Sequence, residues 1–281
     1  MEAIESNINV WYITGCTSGF GLSLVEELLK NPLNRVTGTS RDIKKIEQLS
    51  DTITKNSNFL GIQVDILSED NIKESIEKTI KLFGNLTHIV NNAGSSNIGS
   101  LEESSENDFK TYFEVLYFYP VRVIRAALPW MRQQKQGYIF NVSSALAYNS
   151  LPRYGIYSGA KSALASTTQS LALDVKPFNI KVSTIVLGYF KTNFTNQHVE
   201  NQIEEYDTKN FWNTYMGPLF ATMVPGDVKK LSTILVDHYA KQNDLPNNLY
   251  FGTNDTFSFL DARFKELGAQ LLSQKDLNSQ V

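Results

Sequence analysis

The chain of 281 residues contains one cysteine, Cys16, and only three histidines. A single thiol excludes an intramolecular disulfide, so nothing asks for an oxidising compartment and a reducing cytoplasm is the expected location. His88, His198 and His238 stand far apart, with no cysteine or carboxylate at ligand spacing, so no metal site is expected. Positive charge is not in excess either. With 26 Lys and Arg against 29 Asp and Glu, the net charge is −3, which draws the chain to neither nucleic acid nor an anionic membrane. No uncharged apolar run reaches the length of about 18 residues that a membrane-spanning helix requires. The opening MEAIESNINV carries two acids and no base, the reverse of a signal or transit peptide.

What is present describes a folded protein. Hydrophobic residues make up 42% and charged residues 20%, ordinary globular usage that excludes a disordered chain. No repeat, linker or low-complexity tract divides 1–281, so one domain is expected. Short β-rich runs alternate with segments of helical period. The strands are expected at Asn9–Thr14, Arg35–Ser40, Phe59–Val64, His88–Asn91, Tyr138–Val142, Lys181–Val186 and Asn248–Phe251. Helices are expected at Leu22–Lys30, Ile43–Ser50, Ser68–Phe83, Glu106–Arg132 (kinked at Pro120 and Pro129), Tyr157–Lys176 and Val228–Tyr239. This order predicts an α/β fold with one doubly wound parallel sheet, whose ligand site lies at the carboxyl ends of the strands. The aromatic-rich stretch 191–223 breaks the pattern and reads as a short helical lid over a substrate; packing of a core or interface by Phe194, Phe211, Trp212 and Phe220 is the alternative. The polar tail Gln274–Val281 is expected to be mobile.

Three groups of residues carry chemistry. The first strand runs into Thr14-Gly15-Cys16-Thr17-Ser18-Gly19-Phe20-Gly21, where Gly15 permits a tight turn, Gly19 lets backbone approach a pyrophosphate and Gly21 permits close helix packing. The following helix N-terminus offers free N–H groups to the anion. Cys16, with no histidine near it in sequence, reads as packing. Ser40-Arg41 ends the second strand without the carboxylate expected of an NAD site and with a guanidinium suited to a 2′-phosphate, so NADP(H) is the expected cofactor. The alternative for Arg41 is a surface pair with Asp42 or a helix end. Finally, Tyr157 and Lys161 are i and i+4 on one helical face, and a cation beside a phenol lowers its pKa. Ser144, 13 residues earlier and just past a strand end, is placed to hydrogen-bond a carbonyl oxygen.

TGCTSGFG at 14–21, Asn91-Asn92-Ala93-Gly94, the NVSS stretch ending in Ser144, and YSGAK at 157–161 together resemble the short-chain dehydrogenase/reductase family, closely over about 9–194. The resemblance implies a Rossmann-type domain with a seven-stranded sheet and an oxidoreductase acting on a carbonyl or alcohol substrate. It implies that Tyr157 exchanges the proton, Lys161 holds the nicotinamide ribose, and Ser144 orients the substrate. Asp65 and Ile66 would meet the adenine, Asn91 to Gly94 would line the cofactor, and Gly188 and Thr192 would reach its nicotinamide end. Helices Glu106–Arg132 and Tyr157–Lys176 would form the face of a homodimer or homotetramer. Three positions depart from the family pattern: Leu116 stands where an Asn is usual, Leu187 replaces the proline of a Pro-Gly pair, and Tyr119 replaces a small residue. Leu116 can neither donate nor accept a hydrogen bond, so a proton relay through that position is broken or rebuilt from water and a neighbour. A cofactor-binding regulatory protein with little catalysis is the rival reading.

Overall fold

The computed structural model describes residues 8–194, 196–200 and 202–278. In chain order the elements are β1 (Asn9–Thr14), α1 (Gly19–Leu28), β2 (Asn34–Ser40), α2 (Ile43–Glu47), α3 (Asp51–Thr54), β3 (Phe59–Gln63), α4 (Glu69–Phe83), β4 (His88–Asn91) and β5 (Ser96–Ile98). There follow α5 (Glu106–Phe113), α6 (Tyr119–Gln134), β6 (Gly137–Ser144), α7 (Gly155–Val175), β7 (Ile180–Leu187) and β8 (Asn196–His198). Last come α8 (Thr208–Phe211), α9 (Gly217–Thr222), α10 (Val228–Asp237), β9 (Asn248–Phe251) and α11 (Asn254–Asn278).

Seven strands form one parallel sheet in the order β3-β2-β1-β4-β6-β7-β9, with β1 held in register from Asn9 opposite Asn34 to Thr14 opposite Thr39. The chain winds outward from β1 to β3, returns to β4 on the other side of β1, and winds outward again. That reversal opens a crevice at the carboxyl ends of β1 and β4. Alternate side chains of β1 serve opposite faces: Trp11 and Ile13 join one core with Leu24, Val25 and Leu28 of α1, while Tyr12 joins the other with Ile72 and Ile76 of α4. Burial on both faces explains why β1 reads as a nearly continuous apolar run. Helix α4 starts where the Ser68 side chain accepts from Asn71 N–H and stops at Gly84, whose φ of 78° suits glycine.

Strand positions agree with the sequence reading to within two residues, with β1, β4 and β9 matching end to end. The helix expected at Ile43–Ser50 stops at Glu47 as α2, and α3 follows it unforeseen at Asp51–Thr54. The long helix is continuous from α5 into α6 through one π-helical turn, Glu114–Phe118. Pro120 cannot donate to a carbonyl one turn back, and the wider turn before it absorbs that loss. Three further elements, β5, β8 and α11, were not foreseen. Strand β8 pairs in parallel with β5, Ser96 opposite Asn196 and Ile98 opposite His198, inside the segment read as helical. Beyond β9 the chain forms the 25-residue α11, which takes in Gln274–Asn278 of the expected mobile tail, whereas 279–281 lie outside the described residues. Among the described residues no helix is long and apolar enough to cross a membrane.

Candidate active site

A cavity of about 980 Å³ opens at the carboxyl ends of the strands. Its floor at one end is the glycine turn. Gly15 and Gly19 have φ of +69° and +54°, and a Cβ on Gly21 would lie 2.2 Å from the Gly15 carbonyl oxygen. Ser18 occupies the N-cap of α1, yet its side chain accepts no capping hydrogen bond, so the N–H groups of the first turn are open toward the cavity. Gly15, Thr17, Ser18, Gly19 and Phe20 line the cavity, while Gly21 packs behind them. Asn92 braces the turn: its Nδ2 donates to the carbonyls of Thr14 and Gly15, 3.0 Å each, and the Thr14 hydroxyl accepts from Asn92 and Ala93 N–H. Ala93 and Gly94 continue the wall.

At the β2 end, Ser40, Arg41 and Lys45 line the same cavity. The Asp42 carboxylate accepts from Lys44 N–H at 3.0 Å as the cap of α2, and among the described residues Arg41 enters no ion pair. Of the two residues expected near an adenine, Ile66 lines the cavity and Asp65 does not. The Asp65 side chain accepts from Leu67 N–H at 3.0 Å, because an Asp at the end of a strand closes its own turn. Asn91 is likewise turned inward, donating to Asn141 Oδ1 at 2.8 Å in the core. Gly188 and Thr192 are both in the wall, and the Thr192 side chain closes over Gly19.

Ser144, Tyr157 and Lys161 converge on the cavity between these ends. Ser144 ends β6, and its hydroxyl accepts from Leu146 N–H at 3.1 Å. Tyr157 is buried, edge-on to Tyr154 and Phe194 with ring centroids 6.3 and 6.1 Å away. Lys161 Nζ donates to the Val142 carbonyl at 2.6 Å. The expected lowering of the phenol pKa is not met in this arrangement: burial pushes Tyr157 up to about 12, with a hydrogen bond to Ser144 acting in the opposite sense. Burial also brings Lys161 down to about 8. Leu116 is fully buried in the π-helical turn and caps this corner: a Cβ on Gly94 would lie 3.1 Å from Leu116 Cδ2 and 3.8 Å from Lys161 Nζ. The site has therefore exchanged a polar neighbour of the lysine for an apolar one.

The other two departures also reach the cavity. Leu187 lines it, and so does Tyr119, which is buried with its hydroxyl 3.3 Å from Thr39 Oγ1. Sequence reasoning missed the first two turns of α11, whose Asp255, Thr256, Ser258 and Phe259 complete the wall with Gly188. No motif marks them; Gly188 alone hints at a close approach. A Cβ there would lie 1.9 Å from Thr256 Oγ1. Trp212, Leu219, Phe220 and Met223 face the cavity from the segment after β8. His88 is structural, stacked between Trp11 and Tyr138 at 3.9 and 4.7 Å, and burial lowers it to about 3.

The short chain dehydrogenase family model matches residues 9–203. The chain belongs to this family. Among curated short-chain dehydrogenase relatives, it is 32% identical over 198 residues to 3-ketodihydrosphingosine reductase of Bacteroides thetaiotaomicron, covering 69% of this chain and 70% of that one. It is 31% identical over 186 residues to human retinol dehydrogenase 8, covering 65% and 59%. A solved short-chain dehydrogenase from Streptomyces avermitilis superposes with a TM-score of 0.85 at 27% identity, covering 97% of this chain and 99% of that one. Other solved members of the fold hold NAD or NADP. The family is one of oxidoreductases, and the motifs that match it are those that build the cavity.

Proposed function

We propose that the protein is an NADPH-dependent carbonyl reductase, or in reverse an alcohol dehydrogenase, acting on a hydrophobic ketone, aldehyde or secondary alcohol. The observation that carries this reading is the convergence of Ser144, Tyr157 and Lys161 on a cavity with an open helix N-terminus at one end and aromatic walls at the other. The cofactor supplies hydride when bound. The uncapped turn of α1 suits its pyrophosphate, and Arg41 with Lys45 suits a 2′-phosphate. Tyr157 Oη then gives its proton to the substrate oxygen, or takes it in the reverse direction, while the Ser144 hydroxyl donates to the charge that develops there. The Lys161 ammonium favours the phenolate once it faces the phenol. The segment 191–223 acts as the substrate lid, its Phe194, Trp212 and Phe220 excluding water and selecting apolar substrates. We place the enzyme in the cytoplasm as a homodimer or homotetramer.

The deciding experiment follows NADPH consumption with a panel of aldehydes and bulky ketones, with NADPH and NADH titrated in parallel. Tyr157→Phe is expected to reduce turnover by at least about 100-fold and to leave the NADPH dissociation constant within twofold. Full activity in the variant excludes this chemistry. Leu116 beside the lysine, and a Lys161 ammonium bonded to the Val142 carbonyl, favour a second reading, a regulatory protein that binds cofactor with little catalysis. Tight NADPH binding with no turnover across the panel would select it.

A further inference from the structure

The carboxylate of Glu103, in the loop after β5, is 2% exposed and meets no cation among the described residues. Such a group is costly to bury unless hydrogen bonds replace its water. Three donors do so. Ser100 N–H lies 2.7 Å away within the same loop, while Ile203 N–H at 3.2 Å and Thr208 Oγ1 at 2.6 Å come from the far side of the segment after β8. Desolvation raises the carboxyl pKa, but the hydrogen bonds from Thr208, Ser100 and Ile203 outweigh it and keep the group below the ordinary glutamate value.

A second tie lies beside the first. Arg153, just before the catalytic helix α7, holds a φ of +69° that a side-chain-bearing residue adopts only when its surroundings impose it. Its Nη2 donates to the Tyr206 carbonyl at 2.6 Å, and its guanidinium lies 5.2 and 5.0 Å from the ring centres of Tyr206 and Phe211. The Tyr206 hydroxyl donates to Glu102 at 2.7 Å. Phe211 leads directly into Trp212, whose ring lies tilted against Phe220 at 5.8 Å in the cavity wall. Arg153 is also followed directly by Tyr154, which packs on the Tyr157 ring.

We propose that Glu103 and Arg153 are positioning residues that clamp 203–211 onto the loops leading into α5 and α7, and so hold Trp212 and Phe220 as the fixed outer wall that sets how long a substrate the cavity retains. This rests on the reductase reading for its kinetic consequence but not for its structural one. The clamp touches neither the glycine turn nor Arg41, so cofactor affinity is separate from it.

The test compares wild type with Glu103→Gln, Arg153→Ala and Arg153→Lys. Glutamine replaces one acceptor oxygen by a donor facing donors, so the clamp loses a partner without losing volume. Kinetics on straight-chain aldehydes of increasing length should show KM rising tenfold or more for the long members in Glu103→Gln and Arg153→Ala. KM for the shortest members, kcat and NADPH affinity should stay within twofold. Arg153→Lys, which keeps a donor but loses the flat ring contact, should fall between. Amide hydrogen exchange should quicken over 203–216 and stay unchanged in the sheet. Unaltered exchange there, or equal loss across all chain lengths and in cofactor affinity, would overturn the proposal. If Glu103→Gln does not fold, the Arg153 pair decides. If wild type reduces none of the panel, the reductase reading fails while the exchange comparison still judges the clamp.

Discussion

An ammonium group buried among core side chains keeps its proton less readily than in water, and Lys161 does so with one carbonyl as its partner. The unfolded chain holds that proton to about 10.5 and the folded chain releases it near 8. Between these values the unfolded state binds more protons, so stability contributed at this residue rises with pH across that window and its cost is full below it. Lys161→Met should therefore raise Tm at neutral pH, by roughly 5 °C, with the gain fading as pH climbs toward 10; thermal unfolding scans over that range check it. Tyr157 runs the other way, because a phenol raised to about 12 stays neutral in the fold after the unfolded chain has ionised. The i, i+4 spacing made the partnership of these two legible, whereas their charge states depend on burial and on Leu116, which no spacing reveals. Glu103 was illegible for the same reason: two of its three donors, Ile203 and Thr208, lie 100 and 105 residues away in sequence.

At the level of elements, hydrophobic residues located β1, β4 and β6 because each is buried on both faces, and they failed to mark an element bound on one side only. Helix α11 shows this. Its first two turns are enclosed against Gly188 and Asn149, while Leu271 and Leu272 farther along are exposed, so apolar residues do not mark a single face. Proline predicted a kink in the α5–α6 helix, and the chain carries one π-helical turn just before Pro120, placing Leu116 against Gly94. The joint between β7 and α11 is the tightest close approach in the cavity wall. Gly188→Ala should push the first turn of α11 outward, cost about 1–3 kcal/mol through overpacking, and weaken substrate binding more than cofactor binding. Denaturant midpoints alongside separate titrations of the two ligands measure this.

For the whole molecule, the order β3-β2-β1-β4-β6-β7-β9 reverses its winding at β1, and it puts the glycine turn, Asn92 to Gly94 and Ser144 on one cavity at the carboxyl ends of the strands. The helical layer of α5, α6 and α7 leaves Phe118 and Leu173 uncovered, the latter 73% exposed. If that layer joins two copies, sedimentation velocity should show a dimer or larger species for wild type and a shift to monomer for Leu173→Glu, with the fold retained. The lone cysteine carries a last consequence. Cys16 is fully buried beneath β2, where a Cβ on Gly38 would lie 2.7 Å from Sγ, and burial raises its pKa to about 12. A thiol both shielded and protonated is mute to peroxide and to alkylating reagents. It turns reactive only when the strands over it part, so the pace at which one thiol reagent labels it is a clock for spontaneous opening of the β1–β2 half of the sheet, wound by the chain itself and needing no engineered site.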